Sequence, residues 1–389
     1  MKSILEQKFK EKSFENSSEE FKNRHRTITL DNIFKELGDR KNRYIFYCPD
    51  IAIVNSLVRT IYEMAYTAKE LGYNVLILHE TDGFKCKWLT SQKEFSHLRK
   101  VPLDYIIIKK GKKSKKTRSD YAFRISDTLI IPDQFQEMLD NIIEVKLIQK
   151  VILSSSYTGL SALNPGTTYE SLGVDKVIFT DKQIAKDYNE LFQLSSNVIS
   201  GFNINKEYFS NREAKKVLPL ISISNIGNND VVQQLINVFY NKYPNLRVFN
   251  FRLLDRDDMN LYIETIRKSA IVLFLDKNLG SAQVLLEPIS IGCPVGTMQR
   301  QELNLNLSEN VFIGNNAFEI AERLAEFCTL WLCTDTDVIT EQVLGLKEDI
   351  ISNEEFTKNI NDIFYELQEN RVLYFNKIKA SINVSQEGI

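Results

Sequence analysis

The sequence predicts an α/β protein made of two doubly wound halves facing a central cleft, and three observations lead there. Short strand segments, apolar on both faces, alternate with helical segments over most of the chain. The alternation runs twice, separated by a polar link at 210–216, "SNREAKK". The length of 389 residues also exceeds what one core holds, at roughly 150 residues per domain.

The elements follow in order. Residues 1–42 are highly charged and read as a helical extension, with "TLDNIFKELGD" (29–39) offering Asp31 as an N-cap and Gly38 as a stop. The first core strand is "RYIFYCPD" (43–50), closed by Pro49. It feeds a helix in 53–73, where Leu57, Ile61, Met64, Ala65 and Ala68 recur at helical spacing, and "NVLILHE" (74–80) follows at once. Strand, helix, strand with short links is a βαβ unit of a parallel sheet. Further strands are expected at "DYIIIKK" (104–110), "DTLIIPD" (127–133), "KVILSSS" (150–156) and "DKVIFTD" (175–181), completing a first domain over 43–209.

A second domain over 210–350 opens with "PLISISNIG", a helix in "VVQQLINVFYNKYP", "LRVFNFR", a helix in "MNLYIETIRKSA", and the buried strand "IVLFLD" (271–276). The tail, 351–389, carries Phe356, Ile360, Ile363, Phe364 and Leu367 on one helical face, so it must cover something and is expected to return toward the first domain.

Composition bounds the function. With 43% apolar and 26% charged residues the chain reads as soluble and globular, and its net charge of −2 favours no partner class. The run "KKGKKSKKTR" (109–118) holds seven basic residues in ten: a solvated loop, or a surface for nucleic acid, anionic lipid or a phosphorylated acceptor. Five cysteines form no C-x-x-C pair and no metal-ligand cluster, which fits a reducing, cytoplasmic setting. The first residues lack the apolar core of a signal peptide and no run approaches ~18 apolar residues, so neither export nor a transmembrane segment is expected.

Ligands of open α/β sheets bind at the carboxyl ends of the strands. That places "GSAQVLLEPISIGCPVG" (280–296) at the cleft: after the strand ending at Asp276 comes the turn "KNLG", and then a helix whose first amides, those of Ser281, Ala282 and Gln283, suit a diphosphate. Glu287 lies nearly two turns in, among Val284, Leu285, Leu286, Ile289 and Ile291. A carboxylate there must be paired with an Arg or Lys or must bind hydroxyls, such as those of a ribose.

The order strand, Gly280, helix, Glu287, Gly292, Pro294, Val295 resembles the nucleotide-sugar motif of GT-B glycosyltransferases. The likeness is to the large retaining, family 4-like branch that includes sucrose synthases and many lipopolysaccharide and capsule transferases. It extends more weakly over 43–380. "VDKVIFTDKQIAKDY" followed by "SNVISGFNINKEYF", with its Gly201-Phe202-Asn203 turn, looks like that family's interdomain passage, and "LISISNIGNNDVVQQLINVFYNKYPNLRVFNF" like the first β-α-β of its donor domain.

The resemblance implies two Rossmann-like domains, an acceptor domain followed by a donor domain binding a UDP- or GDP-sugar, and hexosyltransferase-like transfer with retention. It implies Glu287 on the ribose, the Ser281–Gln283 amides on the diphosphate, the Gly292–Val295 turn beneath the nucleotide, and Gly280 and Asn225 among the donor contacts. At the cleft rim the acceptor side offers Asp50, His79 and Asp133, the last as a catalytic candidate. The acceptor is left open among a glycan or lipid intermediate, a protein and a nucleic-acid base, the last raised by the basic run, whose Lys112, Lys113, Lys115 and Lys116 would supply counter-charges to a DNA backbone.

The chain departs from that family twice. Leu279 stands where a second glutamate would touch the donor sugar, leaving Asp276 and Asn278 as substitutes, Asp276 as a catalytic candidate. No basic residue occurs in 219–241, where the family carries its phosphate-neutralising pair; Arg252, Lys277, Arg300, Arg59 across the cleft, or a divalent cation without an encoded motif are the replacements. A degenerate GT-B protein acting as a binding or partner subunit is the competing reading. No G-x-G-x-x-G follows any strand, which disfavours a dehydrogenase. The sequence leaves the oligomeric state open.

Overall fold

A computed structural model describes residues 42–53, 55–81, 83–90, 93–102, 126–135, 149–155, 157–192, 196–199, 217–225, 227–276, 283–298, 311–350 and 353–386. The expected helix at 29–39, the strand at 104–110, the basic run at 109–118, with Lys112, Lys113, Lys115 and Lys116, and the turn at 277–282 lie outside the described residues.

The first sheet takes β1 (Arg43–Tyr47), then helix α1 (Ser56–Glu70), capped by the Asn55 side chain accepting from the Val58 amide, then β2 (Asn74–His79). The short helices α2 (Lys87–Thr90) and α3 (Lys93–Ser96) lead to β3 (Lys100–Pro102). After β4 (Thr128–Pro132) and β5 (Gln149–Ser154) come α4 (Thr158–Ala162), β6 (Lys176–Phe179), α5 (Lys182–Phe192) and β7 (Ser196–Val198). All seven strands are parallel, in the order β3-β2-β1-β4-β5-β6-β7.

The second sheet is built from β8 (Leu218–Ser224), α6 (Asn229–Lys242), β9 (Asn250–Leu253), α7 (Met259–Lys268), β10 (Ser269–Phe274), α8 (Gln283–Ser290), β11 (Val295–Met298) and β12 (Val311–Gly314). It too is parallel, in the order β12-β11-β10-β8-β9. Helices α9 (Ala317–Cys333), α10 (Thr336–Ile350) and α11 (Asn353–Gln386) finish the chain. Two doubly wound, Rossmann-like sheets of this kind make the predicted α/β fold.

Central strands buried on both faces explain the apolar runs. Tyr44 and Phe46 of β1 enter one core while Ile45 and Tyr47 enter another on the opposite face. In the second sheet Ile271 and Leu273 of β10 pack with α6 and α9, whereas Val272 and Phe274 face α7 and α8. The core holding Tyr44 and Phe46 is continuous with the one holding Val272 and Phe274, so a single apolar cluster joins the two sheets. Helix α11 contributes Phe356, Ile360, Ile363, Phe364 and Leu367 to that cluster, and Phe364 lies 4.5 Å from Tyr44, ring centre to ring centre.

Four described strands go beyond the sequence reading: β3, β7, β11 and β12. β3 and β7 are edge strands of three residues each, too short to show a period. β10 also begins at Ser269 rather than Ile271, because α7 runs directly into it and Ser269 already pairs with Leu218. Among the described residues no helix is long and apolar enough to cross a membrane.

Candidate functional site

Strand order reverses between β1 and β4 in the first sheet and between β8 and β10 in the second. Those are the switch points at which the loops part and a crevice opens beyond the carboxyl ends. Asp276 lies two residues past the end of β10 at the second of them and is 2% exposed. Its carboxylate accepts from Ser224 Oγ at 2.7 Å, at the end of β8, and from Arg256 Nη1 at 2.9 Å, in the loop after β9; that same Nη1 is 3.2 Å from Ser224 Oγ. Asn225 shapes the neighbouring turn, its Oδ1 accepting from the Asn228 amide at 3.1 Å, while Asn228 Nδ2 donates to the Leu275 carbonyl at 3.0 Å.

Glu287 sits on α8 and is 2% exposed. Its Oε1 accepts from Arg59 Nη1, on the first turn of α1 in the other half of the molecule, and its Oε2 from the Tyr262 hydroxyl at 3.3 Å. Arg59 Nη2 lies 3.2 Å from the Met259 sulfur, and its guanidinium stands 5.8 Å from the centre of the Trp88 ring. Burial pushes the Glu287 carboxyl up, and the charges of Arg59 and Arg256 with the Tyr262 hydrogen bond only partly oppose it. Burial likewise drives the Tyr262 phenol well above its ordinary value, with the Glu287 charge adding to it. A cation, one of the partners weighed for this carboxylate, is in contact with it and comes from α1 in the other half of the molecule.

On the first sheet Asp50 ties the ends of β1 and β2 together. Its carboxylate accepts from the amides of Glu80 (3.2 Å) and Thr81 (2.8 Å) and lies 3.0 Å from His79 Nδ1; His79 Nε2 is 2.9 Å from the Tyr62 hydroxyl. Burial raises the Asp50 carboxyl, but the hydrogen bonds of His79 and Thr81 outweigh it and hold the group below its usual value. Asp133, at the end of β4, is 0% exposed and accepts from Ser154 Oγ at 2.7 Å beneath α4, where a Cβ on Gly159 would come within 2.7 Å of it.

The sequence candidates therefore fall into separate groups: Asp276 with Ser224 and Arg256, Glu287 with Arg59 and Tyr262, Asp50 with His79 and Tyr62, and Asp133 with Ser154. Arg252 is exposed on the edge strand β9, four residues short of the arginine that reaches Asp276. Lys277, Asn278, Gly280, Ser281, Ala282 and the Gln283 side chain lie outside the described residues. Sequence reasoning missed Arg256, Tyr262 and Met259. Arg256 is embedded in "DRDD", which reads as a solvated turn, and only its position one loop beyond β9 could have raised it.

The turn after α8 is built for close packing. The Cys293 amide bonds to the Pro288 carbonyl and the Gly292 amide to that of Ile289, both at 2.9 Å, with Gly292 at φ +79°, which is a Schellman cap. A Cβ on Gly292 would lie 2.5 Å from Thr340 Cγ2 of α10 and 3.1 Å from its carbonyl oxygen. Gly292→Ala is expected to lower stability by about 2 kcal/mol or more, combining left-handed strain with overpacking, as read from urea denaturation.

The fold and this arrangement together define a GT-B architecture, two Rossmann-like domains about a cleft. Solved structures that share it include glycosyltransferases. Sucrose-phosphate synthase from Thermosynechococcus elongatus matches at TM-score 0.57 and 11% identity, over 85% of this chain and 100% of that one. The pneumococcal O-GlcNAc transferase GtfA, in complex with UDP and GlcNAc, matches at 0.56 and 10%, over 86% and 99%. An α-glucosyltransferase in complex with UDP and a 13-mer DNA containing an HMU base matches at 0.53 and 14%, over 82% and 98%. No protein-family model and no curated protein matches the chain.

Proposed function

We propose that this protein is a glycosyltransferase that moves a sugar from a UDP- or GDP-sugar to an acceptor with retention of configuration. The observation that carries the reading is the pair of buried carboxylates, Asp276 just past the end of β10 and Glu287 on α8, at the switch point of the second sheet in a GT-B fold. In this reading residues 210–350 are the donor domain, 43–209 the acceptor domain and 351–389 the returning helix. Glu287 takes the ribose hydroxyls, the amides of Ser281 to Gln283 face the diphosphate, and Asp276 and Asn278 face the sugar.

On the acceptor side Asp50, His79 and Asp133 line the approach. The acceptor is a glycan or DNA, and Lys112, Lys113, Lys115 and Lys116 would meet a DNA backbone. Retaining transfer needs no separate base where an oxygen of the departing phosphate takes the acceptor hydroxyl proton, so buried carboxylates without a free acid/base pair are compatible with it.

One observation favours a second reading, a GT-B protein kept for binding: Glu287 is already engaged by Arg59 and Tyr262. Incubation with UDP-, GDP-, ADP- and dTDP-sugars, with and without duplex DNA, separates the two. Release of one nucleotide, from a UDP- or GDP-sugar, is the expected result. No release and no calorimetric binding of any nucleotide would favour the binding-protein reading.

A further inference from the structure

Two arginines reach the crevice, one from each half of the molecule, and each is held by a buried acid. Arg256 is fixed between Asp276 and Ser224 at the switch point of the second sheet. Arg59 stands on the first turn of α1, whose Asn55 cap follows the carboxyl end of β1, and spans to Glu287 on α8. Arg59 Nη2 lies 3.2 Å from the sulfur of Met259, which is only three residues beyond Arg256, so the two cations share one neighbourhood. No basic residue occurs between residues 219 and 241 to serve the same region.

We infer that Arg59 and Arg256 are the paired cations that receive the diphosphate of the donor, and that Glu287 and Asp276 hold them in place until a nucleotide arrives. The inference rests on the donor-site reading above and adds the residues that neutralise the leaving group.

Chemistry favours this pair. A guanidinium is a planar fork that matches two phosphate oxygens, and it keeps its charge at any working pH. Arg59 turns one arm to the Glu287 carboxylate and the other toward the Met259 sulfur, a weak acceptor that a phosphate oxygen outcompetes. The Trp88 ring lies beside it, 5.8 Å from ring centre to guanidinium carbon, within range of a cation–π attraction. Two guanidiniums here face two carboxylates. A nucleoside diphosphate offers hydroxyls to Glu287 and negative oxygens to the arginines, so both charges keep partners through the exchange and neither is stranded in the interior. Because Arg59 belongs to the other half, the same exchange converts a direct bridge between the halves into one that runs through the nucleotide.

Calorimetric titration with UDP, GDP, ADP and TDP, each beside its nucleoside monophosphate, tests the assignment. The wild type is expected to bind one diphosphate about tenfold or more tighter than its monophosphate, the difference of one to two charged hydrogen bonds. Arg256→Gln and Arg59→Gln are each expected to weaken the diphosphate about tenfold and to leave the monophosphate within about twofold. A structural role alone would weaken both ligands together. Because Arg59→Gln strands Glu287, the same comparison is made in a Glu287→Gln background, where the ratio of diphosphate to monophosphate affinity is read with and without Arg59. Retention of the wild-type ratio after loss of either arginine overturns the paired assignment while leaving the donor-site reading intact. A wild type that binds none of the nucleotides overturns both.

Discussion

Arg59→Ala is expected to destabilise the protein by about 3–5 kcal/mol at neutral pH, because it strands a carboxylate in an apolar interior. The size follows from where the pair lies. Glu287 is surrounded on α8 by Val284, Leu285, Leu286 and Ile289, all buried, and Arg59 is itself 4% exposed. Both side chains are nearly covered while the bridge is intact, so removing one leaves the other without its counter-charge. Changing both, as Arg59→Ala with Glu287→Gln, is expected to recover most of the loss, since the pair contributes far less than breaking it costs.

The dependence on pH has a definite sign. Burial raises the folded pKa of Glu287, and removing Arg59 removes the main charge opposing that rise. Between the ordinary glutamate value and the raised one, the folded variant keeps a proton that the unfolded chain releases. Its stability therefore falls as pH rises through that window and is regained on acidification. Urea denaturation of wild type and variant at about pH 7 and about pH 5 reads both effects. A deficit under about 1 kcal/mol that does not change with pH would mean that the carboxylate reaches solvent.

How far the sequence foretold this arrangement differs between fold and site, and the reason is the range of the interactions. "RYIFY", "LIIP" and "IVLF" announce themselves because central parallel strands are buried on both faces, so their pattern is written in consecutive residues. The stripe of α11 is legible for the same local reason. The three-residue edge strands carry no such record: Lys100–Pro102 contains a lysine and a proline, and Ser196–Val198 two polar residues.

In the site, Asp276 and Glu287 are conspicuous as acids in apolar runs, whereas their partners are set by tertiary structure. Arg59 lies 228 positions from Glu287, on a helix whose pattern shows only that one face is buried. The partial burial of Arg256 among aspartates follows from the close approach of β8 and β10 at the switch point, which no local window contains. His79 and Asp50 were expected at strand ends, yet their mutual contact, and that of His79 with Tyr62, needs β1, α1 and β2 assembled.

The same rule of stranded charge predicts a second large effect at the opposite, amino-terminal ends of the first sheet, where α11 is anchored. Asp127, just before β4, is 0% exposed and receives both Nε (2.7 Å) and Nη2 (2.5 Å) of Arg43, the first residue of β1. Arg371 of α11 enters the same cluster, donating to Thr128 Oγ1 at 3.0 Å and to the Asp127 carbonyl at 2.8 Å, and Lys176 of β6 pairs with Glu366 one turn earlier at 2.5 Å. Burial pulls the Arg371 pKa down to about 10, and Asp127 is the foremost group opposing that shift.

One guanidinium, that of Arg43, is bonded to this buried carboxylate and a second, that of Arg371, feels its charge, so Asp127→Ala is expected to cost about 3–5 kcal/mol. The loss should extend beyond β4. With Asp127 gone, Arg371 is better solvated away from the sheet, so the part of α11 that covers Tyr44 and Phe46 loosens first. Hydrogen exchange is expected to show faster amides in α11 and β1 under conditions where β8 and β10 stay protected. Uniform loss of protection across both sheets would show that the two halves and the returning helix unfold as one unit.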